Sequence, residues 1–314
     1  MTEPLVFMFS GQGSHYFHMG RELFDTEPVF RDEMLRLDAL ARSHLGASVV
    51  ETIYDSRKTK QDEFDQLSFT HPAIFMVQLA LAKVVEKHRV RPDYVLGASL
   101  GTYVAAVVSG CLDEAQGLEL TIRQARLAGE MCMPGGMIAV LAPPELYQRN
   151  TELRERCDIA AINFSSHFVV AAPADRLAQI ERFLCDRQIV FHRLAVRRPF
   201  HSRWIESAKQ RFLDEMGRVQ FRRPRVPVLC CANAAPVDEV SAERCWRIVR
   251  EPIRFQQTIE ALERVRSCRY LDLGPSGTLG TFIKYILPRD AQARVTSIMT
   301  PFGGEVRNLA RLPA

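Results

Sequence analysis

The chain has 314 residues, 47% of them hydrophobic, and its 41 Lys and Arg against 37 Asp and Glu leave a net charge of +4. That length and apolar content exclude a disordered chain and suffice to bury a full core in one large domain, or in one domain carrying an insertion. The modest charge, with no interleaving of basic and aromatic residues and no zinc-finger or helix-turn-helix pattern, argues against nucleic acid as a partner.

No run of about 18 apolar residues occurs, and Met1-Thr2-Glu3-Pro4 lacks a charged, hydrophobic leader, so no membrane partner is expected and the reading is cytoplasmic. The eight cysteines lie scattered through apolar segments without a C-x-x-C pair, which predicts buried free thiols, and no metal site.

In chain order, an apolar strand over Leu5–Phe9 runs into Ser10-Gly11-Gln12-Gly13-Ser14, a loop whose glycines permit close backbone approach to a ligand. Helical spacing follows between Glu22 and Leu45, a polar loop over Asp55–Asp65, and a helix over Pro72–Lys87 with Thr70 as its cap. The next strand, Tyr94-Val95-Leu96, leads into Gly97-Ala98-Ser99-Leu100-Gly101 and a helix over Thr102–Gly110. Helices alternating with buried apolar strands predict a parallel α/β sheet.

From Gly135 the pattern changes to a strand at Met137–Leu141, a helix at Glu145–Arg156, and strands at Ile159–Asn163 and Phe168–Ala172. A helix at Ala174–Arg187 and a strand at Ile189–Leu194 complete it. That βαββαβ order predicts a ferredoxin-like subdomain over 135–196, inserted into a large domain made of 1–134 and 197–314. After it come a helical stretch from Pro199-Phe200-His201-Ser202 to Met216, a strand at Val226–Cys231, a helix at Glu251–Val265, and Tyr270–Leu273 ending in Gly274-Pro275. Asn308–Ala314 reads as a loosely held tail.

Strand, Gly-x-Ser-x-Gly and helix together are the pattern of a nucleophile elbow, the mark of an α/β-hydrolase-like large domain. There the serine is held in a strained turn with its hydroxyl exposed, and the next amide, that of Leu100, faces developing negative charge. A serine hydroxyl needs a base. Of eight histidines, His201 stands at a loop-to-helix junction from which a side chain can enter a cleft, whereas His44 and His88 lie on charged helical surfaces and His192 interrupts a strand.

Five ordered blocks, Gly11-Gln12-Gly13-Ser14, Gly97 to Gly101, Arg123 in the following helix, Phe200-His201-Ser202 and Leu273-Gly274-Pro275, resemble the acyl-CoA:acyl-carrier-protein acyltransferase family over nearly the whole chain. The resemblance implies a ping-pong reaction. Ser99 takes an acyl group from an acyl-CoA, His201 acts as base, the backbone amides of Gln12 and Leu100 form the oxyanion hole, and a carrier protein's phosphopantetheine thiol accepts the group. No bound cofactor is implied, since CoA is the substrate's own carrier. Arg123 is implied as the two-pronged partner of a malonyl carboxylate, and Phe200 accompanies malonyl preference. Arg197 and Arg198, in an arginine-rich stretch near His201, are candidate contacts for an acidic carrier.

Two departures qualify the resemblance. Ala98 stands where the family usually has histidine, which widens or dries the region beside the serine. Ile248 stands where counting back from Pro252 and Arg254 places the residue whose carbonyl orients the histidine. The expected function is malonyl transfer to a carrier protein, in polyketide biosynthesis or in fatty-acid synthesis. Its alternatives are hydrolysis of acyl groups on carriers, transfer of a larger acyl group, and a non-catalytic carrier-docking module.

Overall fold

The computed structural model describes residues 3–237 and 239–312. The chain opens with β1 (Leu5–Phe9), the helices α1 (Arg21–Thr26), α2 (Pro28–Leu45), α3 (Val49–Ile53) and α4 (Leu67–Lys87), then β2 (Tyr94–Gly97), α5 (Gly101–Val108) and α6 (Glu114–Met131). A second group follows: β3 (Gly135–Val140), α7 (Glu145–Arg149), α8 (Thr151–Arg156), β4 (Asp158–Phe164), β5 (His167–Pro173), α9 (Ala174–Asp186) and β6 (Phe191–Arg193). After a 3-10 turn at Arg203–Ala208 come α10 (Lys209–Met216), β7 (Val228–Cys230), β8 (Ala235–Val237), α11 (Ala242–Arg250), β9 (Ile253–Arg254), α12 (Phe255–Val265), β10 (Arg269–Asp272), α13 (Thr278–Ile286), β11 (Val295–Ser297) and α14 (Glu305–Leu309).

The larger sheet has the order β11-β10-β1-β2-β7-β8, all parallel except β8. Its central strand is apolar at every position because both faces are covered. Phe7 and Phe9 join a core built with α2, α4, α5 and α6, while Val6 and Met8 pack with Phe255, Ile259, Leu279 and Ile283 of α12 and α13 on the other side. Helix α4 is long and apolar enough to cross a membrane, yet 83% of its most apolar window is buried; it is the core helix beneath the sheet.

The smaller sheet has the order β6-β3-β5-β4-β9, and its first four strands are mutually antiparallel. Ile138, Val140, Phe168 and Val170 point to its own core with Ile180 and Phe183 of α9, whereas Met137, Ala139 and Val169 point back to the large body. The alternation of period two divides these strands between a private core and a cleft wall. The amide of Gly135 donates to the carbonyl of Arg197 at 3.2 Å, so the chain leaves and returns at one point. Strand β9, far along the sequence, adds to β4 in parallel.

Several local expectations are corrected. Thr70 does not cap a helix at Pro72: α4 begins at Leu67 and carries Pro72 in its second turn, where the ring removes the amide that would have bonded to the Ser68 carbonyl. The helix expected over Glu145–Arg156 breaks in two at Asn150, whose side-chain amide donates to the Leu146 carbonyl at 2.6 Å, a local alternative to the helical ladder. The helix expected from Glu251 begins only at Phe255, because Pro252 holds Glu251 extended at φ −83°, ψ 154°. The expected loose tail is packed as far as it is described, with Leu309 buried and the Asn308 amide bonded to the Ile298 carbonyl at 3.0 Å. Pro313 and Ala314 lie outside the described residues.

Candidate active site

Two tight approaches shape the turn at Ser99. A Cβ on Gly97 would lie 2.3 Å from the Cα of Thr102, and one on Gly101 would lie 2.1 Å from the carbonyl oxygen of Phe9, so only glycine lets α5 start this close to β1 and β2. Ser99 between them has φ 53°, in the left-handed region that a non-glycine residue occupies only when its surroundings impose it. Its hydroxyl therefore stands above the carboxyl ends of the strands, at the first turn of α5.

His201 reaches that hydroxyl from 102 residues away, with Nε2 2.8 Å from Ser99 Oγ. It too is strained, at φ 60°, and is held by its amide bond to the Val249 carbonyl at 3.0 Å. Its Nδ1 donates to the main-chain carbonyl of Glu251 at 2.8 Å, which fixes the tautomer and leaves Nε2 free to accept the serine proton. Burial lowers its pKa to about 4, against which the Glu251 carbonyl is a lesser, raising influence, so the ring is neutral at pH 7. Here the structure corrects the expectation for Ile248. Glu251 supplies the carbonyl, because Pro252 sets its extended backbone, whereas Ile248 is buried in α11 and lines a small space beside Ser99 with Cys230 and Cys231. The Glu251 carboxylate is turned away to Arg247 at 2.7 Å.

The Ser10–Ser14 loop lies over the elbow. A Cβ on Gly11 would be 3.1 Å from Ser99 Cβ and 3.3 Å from the Leu100 nitrogen. Among the described residues, none of the Gly11, Gln12, Ser99 and Leu100 amides donates a hydrogen bond within the chain.

The loop is held by Gln78, which the sequence alone did not single out, by Thr70, which it read as a helix cap, and by the Leu273-Gly274-Pro275 block. Gln78, fully buried in α4, accepts from the Ser10 amide at 2.7 Å and donates to the Ser10 carbonyl at 3.1 Å. Thr70 accepts from the Gln12 side-chain amide at 3.1 Å. The Leu273-Gly274-Pro275 block is a support: a Cβ on Gly274 would sit 2.4 Å from Ser10 Oγ, and buried Asp272 accepts from the amides of Gly274 and Gly280 at 2.8 and 2.7 Å. A polar residue of buried strand-facing character inside an apolar helix, as Gln78 is, was the available signal.

Arg123 does not enter the cleft. Its guanidinium pairs with Glu119 one turn earlier at 2.5 Å, touches the Glu215 carbonyl at 3.5 Å and remains 29% exposed. The buried side of α6 is broad, including Leu120, Ile122, Gln124, Ala125 and Leu127, and Arg123 lies at its edge, with its guanidinium drawn to Glu119 and Glu215. The implied carboxylate clamp is therefore absent from this position. Phe200 is placed at the cleft, buried, with its ring 6.0 Å from that of His71. Ala98 also lines the cleft. Arg197 and Arg198 are engaged within the chain: Arg197 pairs with Glu63 and Asp65, and Arg198 donates to the carbonyls of Ala128 and Gly129 at 3.0 Å each. They staple the returning chain to the large body rather than stand free for a partner.

Ser99 and His201 open into a cavity of about 340 Å³ between the two sheets. The Ser10–Ser14 loop forms one side, β3 and β5 another, and Phe255 and Phe282 a third. A half-buried serine hydroxyl bonded to a buried imidazole and opening into a cavity is equipment suited to acyl transfer through an acyl-serine. Among the described residues no group of three or more His, Cys, Asp or Glu is arranged as a metal site.

Comparison with known proteins agrees with this arrangement. The family described as "acyl transferase domain" matches residues 6–274. The chain is 41% identical over 309 residues to the polyketide biosynthesis acyltransferase homolog PksD of Bacillus subtilis (strain 168), covering 98% of this chain and 95% of that one. It is 41% identical over 312 residues to its counterpart BaeD of Bacillus velezensis, covering 99% and 96%. Among solved structures it is similar to a loading acyltransferase of the avermectin modular polyketide synthase, with a TM-score of 0.89 and 25% identity over 98% of this chain and 97% of that one. It is also similar to the malonyl CoA-acyl carrier protein transacylase of Burkholderia pseudomallei, with a TM-score of 0.80 and 28% identity over 91% and 98%. Sequence and backbone agree from end to end with a site equipped for acyl transfer, and the chain belongs to the acyl transferase domain family.

Proposed function

We propose that this protein transfers an acyl group from an acyl-CoA to the phosphopantetheine thiol of an acyl carrier protein in polyketide biosynthesis, through an ester on Ser99. The observation that carries the reading is the 2.8 Å contact between Ser99 Oγ and a His201 whose other nitrogen is already spent on a carbonyl. Ser99 Oγ attacks the thioester carbonyl as its proton passes to His201 Nε2. The oxyanion is met by the amides of Leu100 and Gln12, and collapse expels the CoA thiol, which recovers the proton from His201. The carrier's thiol then repeats the sequence in reverse. Base assistance contributes about 10²- to 10⁴-fold, and each oxyanion donor about 2.7–4 kcal/mol. The neutral main-chain partner of His201 orients the ring without adding a third charge to the site.

The fold reading that goes with it is an α/β-hydrolase-like body over 1–134 and 197–314 with a ferredoxin-like insertion over 135–196. It is supported by the elbow, by the order β6-β3-β5-β4 with antiparallel pairing, and by the Gly135–Arg197 closure. A cytoplasmic location is supported by eight free thiols.

A second reading, hydrolysis of acyl groups from carriers with water in place of the incoming thiol, is favoured by one observation: Arg123, which would reward a malonyl carboxylate, faces away from the cleft. Burst kinetics with intact-mass detection separate the two. An acyl-enzyme that persists until phosphopantetheinylated carrier protein is added supports transfer, and spontaneous turnover supports hydrolysis. No adduct with any acyl-CoA, or an adduct that survives in Ser99→Ala, would overturn both.

A further inference from the structure

The wall of the Ser99 cavity contains neither a cation nor an anion: none of its lining residues is Lys, Arg, Asp or Glu. Its hydrogen-bonding groups are largely committed. The Gln12 side-chain amide donates to Thr70, and the Asn163 side-chain amide lies 2.9 Å from His167 Nδ1. Of the imidazoles near it, burial lowers His167, His71 behind Phe200 to about 3, and His15 beside the loop to about 4, while His192 lines the cavity at its exposed rim.

Each arginine close by in sequence is directed elsewhere. Arg254, between the lining residues Ile253 and Phe255, donates to the Ala232 carbonyl at 2.9 Å. Arg193, between His192 and Leu194, alternates outward to Glu181 at 2.7 Å. Arg123 is paired with Glu119 of its own helix and turned to the Glu215 carbonyl. What remains is apolar: Met137, Ala139, Val169, Phe200 and Phe282 present hydrocarbon to the space beyond the serine. A carboxylate brought here would lose its water without gaining a countercharge, whereas an alkyl chain would gain contact along its length.

We propose that the acyl group carried on Ser99 is uncharged and aliphatic, extending beyond two carbons along the β3, β5 and Phe282 wall. This rests on the acyl-Ser99 reading and assigns its substrate class. Each buried methylene is expected to raise kcat/KM about 4-fold, the transfer value of one CH₂.

The test uses the unmodified protein with malonyl-, acetyl-, butyryl- and hexanoyl-CoA, following formation of the acyl-enzyme by quenched-flow intact mass with Ser99→Ala as the blank. Because the CoA portion is common, ratios of rates report on the acyl group alone. The expected result is loading that rises from acetyl to butyryl and exceeds malonyl by at least tenfold for butyryl and hexanoyl. Malonyl loading at more than a tenth of the butyryl rate, or butyryl loading no faster than acetyl, would overturn the substrate class while leaving the acyl-serine intact. Absence of an adduct from all four donors would instead overturn the acyl-Ser99 reading.

Discussion

Gln78 is not in the cleft, yet replacing it should damage catalysis. Its side chain makes two hydrogen bonds to the Ser10 backbone, at 2.7 and 3.1 Å, in a fully buried setting. Gln78→Met keeps the length and the apolar packing of α4 but leaves the Ser10 amide and carbonyl without partners. At about 1–3 kcal/mol for each buried group left unsatisfied, the protein should lose about 2–6 kcal/mol of stability if the loop stays in place. The loop can avoid that loss only by moving, and moving it carries the Gln12 amide out of the oxyanion site, at about 2.7–4 kcal/mol of transition-state stabilisation, or 10²- to 10³-fold in rate. Urea unfolding and single-turnover acylation should therefore be measured together on the same preparation. A variant with wild-type acylation and unchanged stability would refute the claim that Gln78 holds this loop.

His201→Ala should cut acylation by about 10²- to 10⁴-fold with little change in fold, as shown by far-UV circular dichroism. Because burial holds His201 at about 4, acylation of the wild type should stay level from pH 8 to about 5 and fall only below that; half-loss near 6.5 would contradict the buried, neutral imidazole. For the same reason the stability of the wild type relative to His201→Gln should be fully present above about 6.5, where the unfolded ring is also neutral, and fall as the pH drops towards about 4, read from urea midpoints. Arg123→Ala should change stability by about 1 kcal/mol or less, as expected for a partly exposed pair one helical turn apart, and leave the malonyl-to-acetyl loading ratio within twofold; selective loss of malonyl loading would return that arginine to the site. Gly101→Ala drives a Cβ to 2.1 Å from the Phe9 carbonyl and should lower stability by about 3 kcal/mol or more, seen as a fall in Tm.

Much of this architecture was legible because it is written in short-range pattern. The all-apolar run of β1 announces a strand covered on both faces, and Gly97, Ser99 and Gly101 announce a turn that only two missing side chains permit. The pairing of Arg123 was legible as well: Glu119 stands four residues before it, one helical turn away on the same face.

Other features have no local signature. Thr70 resembles a helix cap, and only the approach of the Gln12 side chain makes its hydroxyl a loop anchor. Gln78 stands out as polar in an apolar helix, but nothing nearby in the chain names Ser10 as its partner, 68 residues away. The carbonyl that orients His201 comes from Glu251 because Pro252 sets the backbone there, a local cause whose consequence lies 50 residues off. By itself the sequence determined strands β1 to β7 and β10, the elbow at Ser99 and the βαββαβ order, since each follows from propensities and spacings within a dozen residues; the short strands β8, β9 and β11 it did not announce. The folded chain alone decided which carbonyl aligns His201, which residues hold the loop over Ser99 and that no Lys, Arg, Asp or Glu lines the cavity. Those depend on the direction in which each side chain leaves its element and on what distant segment it meets, and neither is a property of local sequence.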